Sequence, residues 1–162
     1  MFSHFLDTQL AVGDTLNLTG PFGVFTLREG HDADLIFIGG GAGMAPILAL
    51  LRSMSERSSQ MSQRSIQRKA TYYYGARRRR DLCFEKELHA LEESLPGFRF
   101  VPALSEPAQQ DAWDGEVGLI TDVMKRFEND IKGPHAYVCG PPPMVAAAMP
   151  LLTVLGVAEK RT

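Results

Sequence analysis

Leu35-Ile36-Phe37-Ile38-Gly39-Gly40-Gly41-Ala42-Gly43-Met44-Ala45-Pro46-Ile47-Leu48 is the stretch that decides the fold. The apolar run Leu35 to Ile38 predicts a buried strand that ends at a run of glycines. From Pro46 to Met54, Ile47, Leu48, Leu50 and Leu51 recur at helical spacing. A strand turning through glycine into a helix is the context a nucleotide-binding loop needs. Glycines let the chain turn tightly and let a pyrophosphate approach bare backbone. The helix start presents unpaired N–H groups and the positive end of its dipole to that anion. Pro46 suits the first helical turn, where its missing donor costs nothing. A glycine-rich turn by itself is also compatible with a plain tight connection. This one also departs from the common dinucleotide fingerprint. Pro46 stands where the third glycine would be, and Gly75-Ala76-Arg77 follows the second strand where an acid would be expected.

The same alternation continues outward. Thr71-Tyr72-Tyr73-Tyr74 reads as a second strand closed by Gly75, its tyrosines alternating between core and surface. Phe84 to Leu95 reads as an amphipathic helix, with Leu88, Leu91 and Leu95 on one face and Pro96-Gly97 ending it. Phe98 to Leu104 is a third strand. Leu119 to Phe127 is a helix with Thr121 or Asp122 as its cap, His135 to Cys139 a further strand, and Pro143 to Leu155 a last helix. Strands and helices alternating over short connections predict an α/β fold, a doubly wound parallel sheet covered on both faces. The first thirty residues read differently. Asp14 to Thr19 alternates as a half-buried antiparallel strand does, Gly20-Pro21-Phe22-Gly23 is a turn, and Val24 to Arg28 is another short strand. Two such strands make no stable domain alone, so the expected division is 1–30 as the tail of a β-barrel and 31–162 as the α/β domain. Ser55 to Gln67, rich in Ser, Gln and Arg, reads as a solvated helix end and loop.

Composition excludes several functions. At 162 residues with a net charge of −2, the chain holds one full domain and a remnant, and nucleic acid is not an expected partner. Basic residues concentrate between Arg64 and Arg80. Cys83 and Cys139 are too few to ligate an iron–sulfur cluster or to form a disulfide framework, so both are expected as reduced thiols. His4, His31, His89 and His135 are scattered without metal-ligand spacing, and no metal site is expected. No apolar run approaches the ~20 residues of a membrane span, and Met1-Phe2-Ser3-His4 opens no signal peptide.

Cys139-Gly140-Pro141-Pro142-Pro143-Met144 follows a strand at its carboxyl end, the edge where ligands of open parallel sheets collect. It is thereby expected to face one cavity with the Gly41–Pro46 turn. The set Gly41-x-Gly43-x-x-Pro46, Tyr74-Gly75-Ala76-Arg77, Ala103-Leu104-Ser105-Glu106 and Cys139-Gly140-Pro141-Pro142-Pro143-Met144 resembles the NAD(P)H domain of the ferredoxin–NADP reductase superfamily, over about Leu35 to Val157. Gly20-Pro21-Phe22-Gly23-x-Phe25 is similar to the closing strands of that family's FAD barrel. Ser3 falls at the serine of its flavin-pyrophosphate turn. The stretch Tyr72 to Met144 is most similar to reductase components of phenol- and propane-type di-iron monooxygenases. Asp111-x-Trp113-x-Gly115-x-x-Gly118 and Gly43-Met44-Ala45-Pro46 resemble the NADH-using subunit of the sodium-pumping NADH:quinone reductase. Both groups use NADH and pair FAD with a [2Fe-2S] ferredoxin domain.

The resemblance implies that Gly41, Ala42, Gly43 and Pro46 line the nucleotide pyrophosphate. It places Cys139 and Gly140 near the nicotinamide, with Cys139 positioning C4 for hydride transfer to flavin rather than acting as a nucleophile. It counts Met44, Gly75, Arg77, Ser105, Glu106, Pro141, Pro142 and Met144 among the further cofactor-binding residues. A carboxylate at Glu106 would take the ribose hydroxyls and repel a 2′-phosphate, which favours NADH; a solvated loop glutamate is the other reading. Arg77 to Arg80 point the other way, toward a 2′-phosphate or an acidic ferredoxin or hydroxylase surface, or simply toward solvent.

The family's flavin-cradling Arg-x-Tyr-Ser segment, its ferredoxin domain and its last strand have no counterpart here. The expectation is therefore a fragment that binds NADH weakly, retains FAD poorly, carries no iron–sulfur cluster and has little reductase activity alone. Its expected partners are a flavin/ferredoxin domain and an acceptor such as a hydroxylase or quinone reductase, in the cytoplasm or at the cytoplasmic face of a membrane complex. Self-association through the incomplete barrel is also expected. A non-catalytic NAD(H)-binding interaction module is the alternative. A classical dehydrogenase is disfavoured, because no catalytic His or Tyr–Lys pair stands out.

Overall fold

The computed structural model describes residues 2–20, 22–28, 33–60, 68–128 and 133–157. Pro21, His31 and the 61–67 part of the Ser55–Gln67 stretch lie outside the described residues.

Five parallel strands form one sheet: β1 (Leu35–Gly40), β2 (Ala70–Ala76), β3 (Phe98–Leu104), β4 (Glu116–Val117) and β5 (His135–Cys139), in the order β4-β3-β2-β1-β5. The chain steps outward from β1 to β4, then returns to lay β5 against the other side of β1. That reversal makes the β1/β5 boundary the topological switch point, where a crevice opens beyond the carboxyl ends of the strands. In register, Gly39 of β1 stands beside Cys139 of β5, and Gly40 beside Gly75 of β2. The glycine turn, the proline turn and Gly75 therefore reach the same edge together.

Helices cover both faces. α2 (Met44–Gln60) and α3 (Glu85–Ser94) pack on one, burying Ile47, Leu48, Leu51, Leu88 and Leu91. α4 (Ile120–Phe127) and α5 (Pro142–Val154) pack on the other, burying Ile120, Val123, Met124, Ala148 and Leu152. Two-sided cover corrects the expectation for the tyrosines: Tyr72, Tyr73 and Tyr74 are all 0 % exposed. Tyr72 and Tyr74 stack 5.5 Å apart beneath α2 and α3. Tyr73 points to the opposite face, and its hydroxyl donates to Glu128 over 2.5 Å. Burial, with the Glu128 carboxylate, drives the Tyr73 hydroxyl well above the usual phenol range.

Tyr72 has no such partner. Its hydroxyl is buried without a hydrogen bond among the described residues, lying over Gly39, where an added Cβ would come within 2.5 Å of the oxygen. An orphaned buried donor costs about 1–3 kcal/mol. Tyr72→Phe is therefore expected to leave the urea midpoint unchanged or raise it. A loss of about 1 kcal/mol would reveal a partner such as a buried water.

Residues 14–19 and 24–28 form no strand, which corrects the reading of the N-terminal segment. A ladder needs a partner, and among the described residues none lies alongside. Phe2–Thr8 is instead a helix, α1. Val12, Leu18, Phe22 and Val24 stand 82 % or more exposed. Phe25, Leu27 and Arg28 tie the segment to the sheet and its core. Phe25 meets Tyr137 of β5 edge to face at 5.7 Å, and the Arg28 amide donates to the Tyr137 hydroxyl at 2.7 Å. α4 also starts differently from the prediction: Leu119 is its cap residue, with no side-chain cap, and Thr121 and Asp122 lie inside its first turn.

Candidate functional site

β1 ends in a 3-10 turn, Gly41–Gly43, that runs directly into α2. Gly41 has φ +54, the left-handed region that glycine enters without strain, and a Cβ there would meet nothing within 4 Å. Gly43 is buried for the opposite reason. A Cβ on it would land on the carbonyl of Cys139 and 2.6 Å from the Gly140 nitrogen. The glycine turn and the proline turn thus touch main chain to main chain. Gly140 and Gly40 extend that contact: a Cβ on either would strike the Met144 side chain, at 2.5 and 2.8 Å. The two bends predicted to share a cavity meet at its floor.

Above that floor opens a cleft of about 640 Å³, within the range of small-molecule and cofactor sites. Among the expected residues, Gly41, Gly75, Arg77, Ser105, Pro141 and Met144 line it. Gly43 and Cys139 lie beneath, where Cys139 packs its side chain against the α2-side core. Ala42, Met44, Pro46, Glu106, Gly140 and Pro142 are not in the lining, and Ser3 lies on the exposed surface of α1. Sequence reasoning missed the wall built by Gly118, Leu119, Ile120 and Thr121 at the start of α4, and Ala147 one turn into α5. The available signal was a glycine before a strand-edge helix, Gly118-x-x-Thr121, in the same topological position as the other two turns.

The cleft has an apolar end and a polar end. At the α5 end stand Pro141, Pro143, Met144 and Ala147. Pro142 and Pro143 are the first residues of α5 and have no N–H, while the Met144 and Val145 amides are taken by Pro141 O. This helix start therefore offers no amide donor from its first four positions. The glycine turn differs: no side chain caps it and its backbone is bare. At the far end Arg77, Asp81 and Ser105 line the cleft. The Ser105 amide donates to Ala76 O at 3.0 Å and the Glu106 amide to Arg77 O at 2.9 Å, so the β2–β3 spacing continues past the strands. That holds the Glu106 carboxylate 3.9 Å from the Arg77 guanidinium, both well exposed. The arginine run is largely occupied by its neighbours. Arg79 lies 3.7 Å from Glu85 and over the Trp113 ring, and Arg80 lies 3.9 Å from Asp81. Trp113 packs over Gly115 and donates to Glu116 O at 2.9 Å, securing the loop into β4.

Among the described residues no group of His, Cys, Asp and Glu could hold a metal, and no helix is long and apolar enough to cross a membrane. Residues 37–149 match the family model described as oxidoreductase NAD-binding domain. The chain is 46 % identical over 158 residues to the reductase component of propane 2-monooxygenase from Rhodococcus jostii, covering 96 % of this chain and 41 % of that protein. It is 37 % identical over 158 residues to a subunit of the Na(+)-translocating NADH-quinone reductase of Neisseria meningitidis, covering 94 % of this chain and 37 % of the relative. The crystal structure of the Amycolatopsis cytochrome P450 reductase GcoB superposes with a TM-score of 0.80 at 30 % identity, over 98 % of this chain and 46 % of that one. The chain thus spans about two-fifths of the length of the curated relatives it matches.

Proposed function

The chain belongs to the oxidoreductase NAD-binding domain family of the ferredoxin-reductase superfamily, and from that premise we propose that its cleft holds NADH for hydride transfer within a longer reductase. The observation that carries this reading is the shared cleft, lined at once by the glycine turn, the proline turn and the β2 end. Bare glycine backbone where a Cβ would fill the cradle suits the pyrophosphate. The donor-free, apolar start of α5 suits the flat nicotinamide ring, and Arg77 with Ser105 suits the adenosine ribose. Bound NADH supplies the hydride; this chain's residues orient the ring and exclude water from one side of it. Cys139 serves as a positioning residue, its main chain seating the glycine turn.

The hydride acceptor in this proposal is FAD, followed by a [2Fe-2S] centre and an acceptor such as a hydroxylase or quinone reductase. Ser3, the one expected flavin contact, sits on the exposed surface of α1 and builds no cradle here. We accordingly assign residues 31–162 to nucleotide binding, and the flavin to the part of a longer reductase beyond them. The exposed Val12, Leu18, Phe22 and Val24 make residues 1–30 the contact side toward that part, or toward a second copy of the chain. Static light scattering is expected to show association that grows with concentration, and a monodisperse monomer at high concentration would remove the second of these.

Glu106 sets the preference for NADH. Opposed to a 2′-phosphate at ~4 Å, it would contribute on the order of 4 kcal/mol of repulsion at an effective dielectric near 20, reduced by its exposure to solvent. Calorimetric titration is expected to give NADH binding at least about tenfold tighter than NADPH. Glu106→Gln, which also frees Arg77, should narrow that gap. Absence of NADH binding overturns the function; equal affinities in the unaltered chain overturn the role of Glu106.

A further inference from the structure

α4 begins at the cleft, and its first turn is unspent. The first intrahelical bond at that end runs from the Asp122 amide to Leu119 O at 2.9 Å, so the amides of Ile120 and Thr121 precede the ladder. Leu119 supplies no side-chain cap. Gly118, at φ +123, leaves open space where a side chain would stand. The Thr121 side chain adds a donor beside these amides. It is 6 % exposed, it lines the cleft, and its hydroxyl has no hydrogen-bond partner among the described residues. A threonine in a first helical turn ordinarily satisfies its hydroxyl on nearby backbone. The Thr121 hydroxyl opens onto the cleft and is left to meet whatever enters it.

The location narrows what that something is. β2's Gly75 separates the two helix starts: Gly40, which leads into α2, pairs with Gly75 in register, and a Cβ on Gly75 would stand 2.9 Å from the Ile120 Cβ. The beginnings of α2 and α4 thus flank one glycine, at the middle of the cleft and toward its Arg77–Ser105 end. Every polar group that α4 presents there can donate: two amides and a hydroxyl, with the positive end of the helix dipole behind them. Such a set matches an oxygen that carries negative charge.

We propose that Thr121 is a nucleotide-contact residue whose hydroxyl, together with the leading amides of α4, donates to the adenosine-side phosphate of the dinucleotide, while the Gly40–Gly43 turn holds the other phosphate. This rests on the NADH reading of the cleft and adds to it a second grip, on a different helix.

The test is calorimetric titration of the full chain with NADH and with ADP, for the unaltered protein, Thr121→Val and Thr121→Ser. Valine keeps the shape and removes the donor; serine keeps the donor. A hydrogen bond to a charged group is worth on the order of tenfold in affinity. Thr121→Val is expected to weaken NADH and ADP by that same factor, with its melting temperature unchanged or raised, and Thr121→Ser to bind both within about twofold of the unaltered chain. Valine binding NADH and ADP as tightly as threonine overturns the contact. A loss for NADH without a loss for ADP overturns its placement on the adenosine side. If the unaltered chain binds neither compound, the NADH reading fails, and this proposal with it.

Discussion

Replacing Gly43 by alanine is expected to cost the domain about 3 kcal/mol, roughly 10 °C in melting temperature, and to abolish NADH binding. One methyl group suffices because it has nowhere to go. The Gly43 Cα faces the Cys139 carbonyl and the Gly140 nitrogen, which are backbone atoms and cannot swing aside as a side-chain tip would. Either α2 must lift from the sheet or β5 must shift along β1, and both carry core residues with them. A few tenths of a kcal/mol of helix propensity gained by alanine does not offset this. Thermal melts and NADH titration of the variant check it. An unchanged melting curve would mean that the two turns do not touch, and the shared floor of the cleft would be lost.

Gly41 is expected to behave in the opposite manner. Its neighbour two positions on is structural, whereas a side chain at Gly41 would project into open space from a left-handed backbone. Asparagine and aspartate tolerate that conformation better than other residues, at a cost near 1 kcal/mol. Gly41→Asn and Gly41→Asp should therefore fold equally well, with melting temperatures lowered by only a few degrees. Their NADH affinities should diverge by about 100-fold or more, because the aspartate places a carboxylate beside a pyrophosphate in a partly enclosed cleft. The neutral amide thus controls for bulk, and the difference reports charge alone. Equal affinities in the two variants would remove the phosphate from this turn.

The contrast between Gly41 and Gly43 shows what can and cannot be read from the letters. Strands with strong apolar runs are legible, as at Leu35–Ile38 in β1, because burial on both faces leaves an uninterrupted pattern. The same two-sided burial defeats the reading of Tyr73, where strand alternation predicts an exposed face. Glu116–Val117 is too short to carry any period. The 14–19 segment has a strand's alternation without a strand's partner, and pairing is a property of two segments rather than one. In the cleft, Gly41, Pro141 and Met144 announce themselves through turns with unusual residues. Thr121 does not, since a threonine near a helix start reads first as a cap; only the placement of Leu119 as the true cap residue sets its hydroxyl free. Arg77 to Arg80 likewise read as loose charge, and folding brings Glu106, Glu85 and Asp81 to three of them.

The paired prolines that open α5 bear on how long a guest stays. A wall with no hydrogens to share grips through shape and dryness alone, so whatever rests on it departs without breaking directional bonds. On the proposed NADH reading, a carrier that arrives reduced and must exit oxidised would gain from such a surface, anchored at its phosphates with its reactive ring loosely berthed. Residence time would then be governed by the phosphate grips at the glycine turn and the start of α4, and the proline side would be left to set the angle of approach.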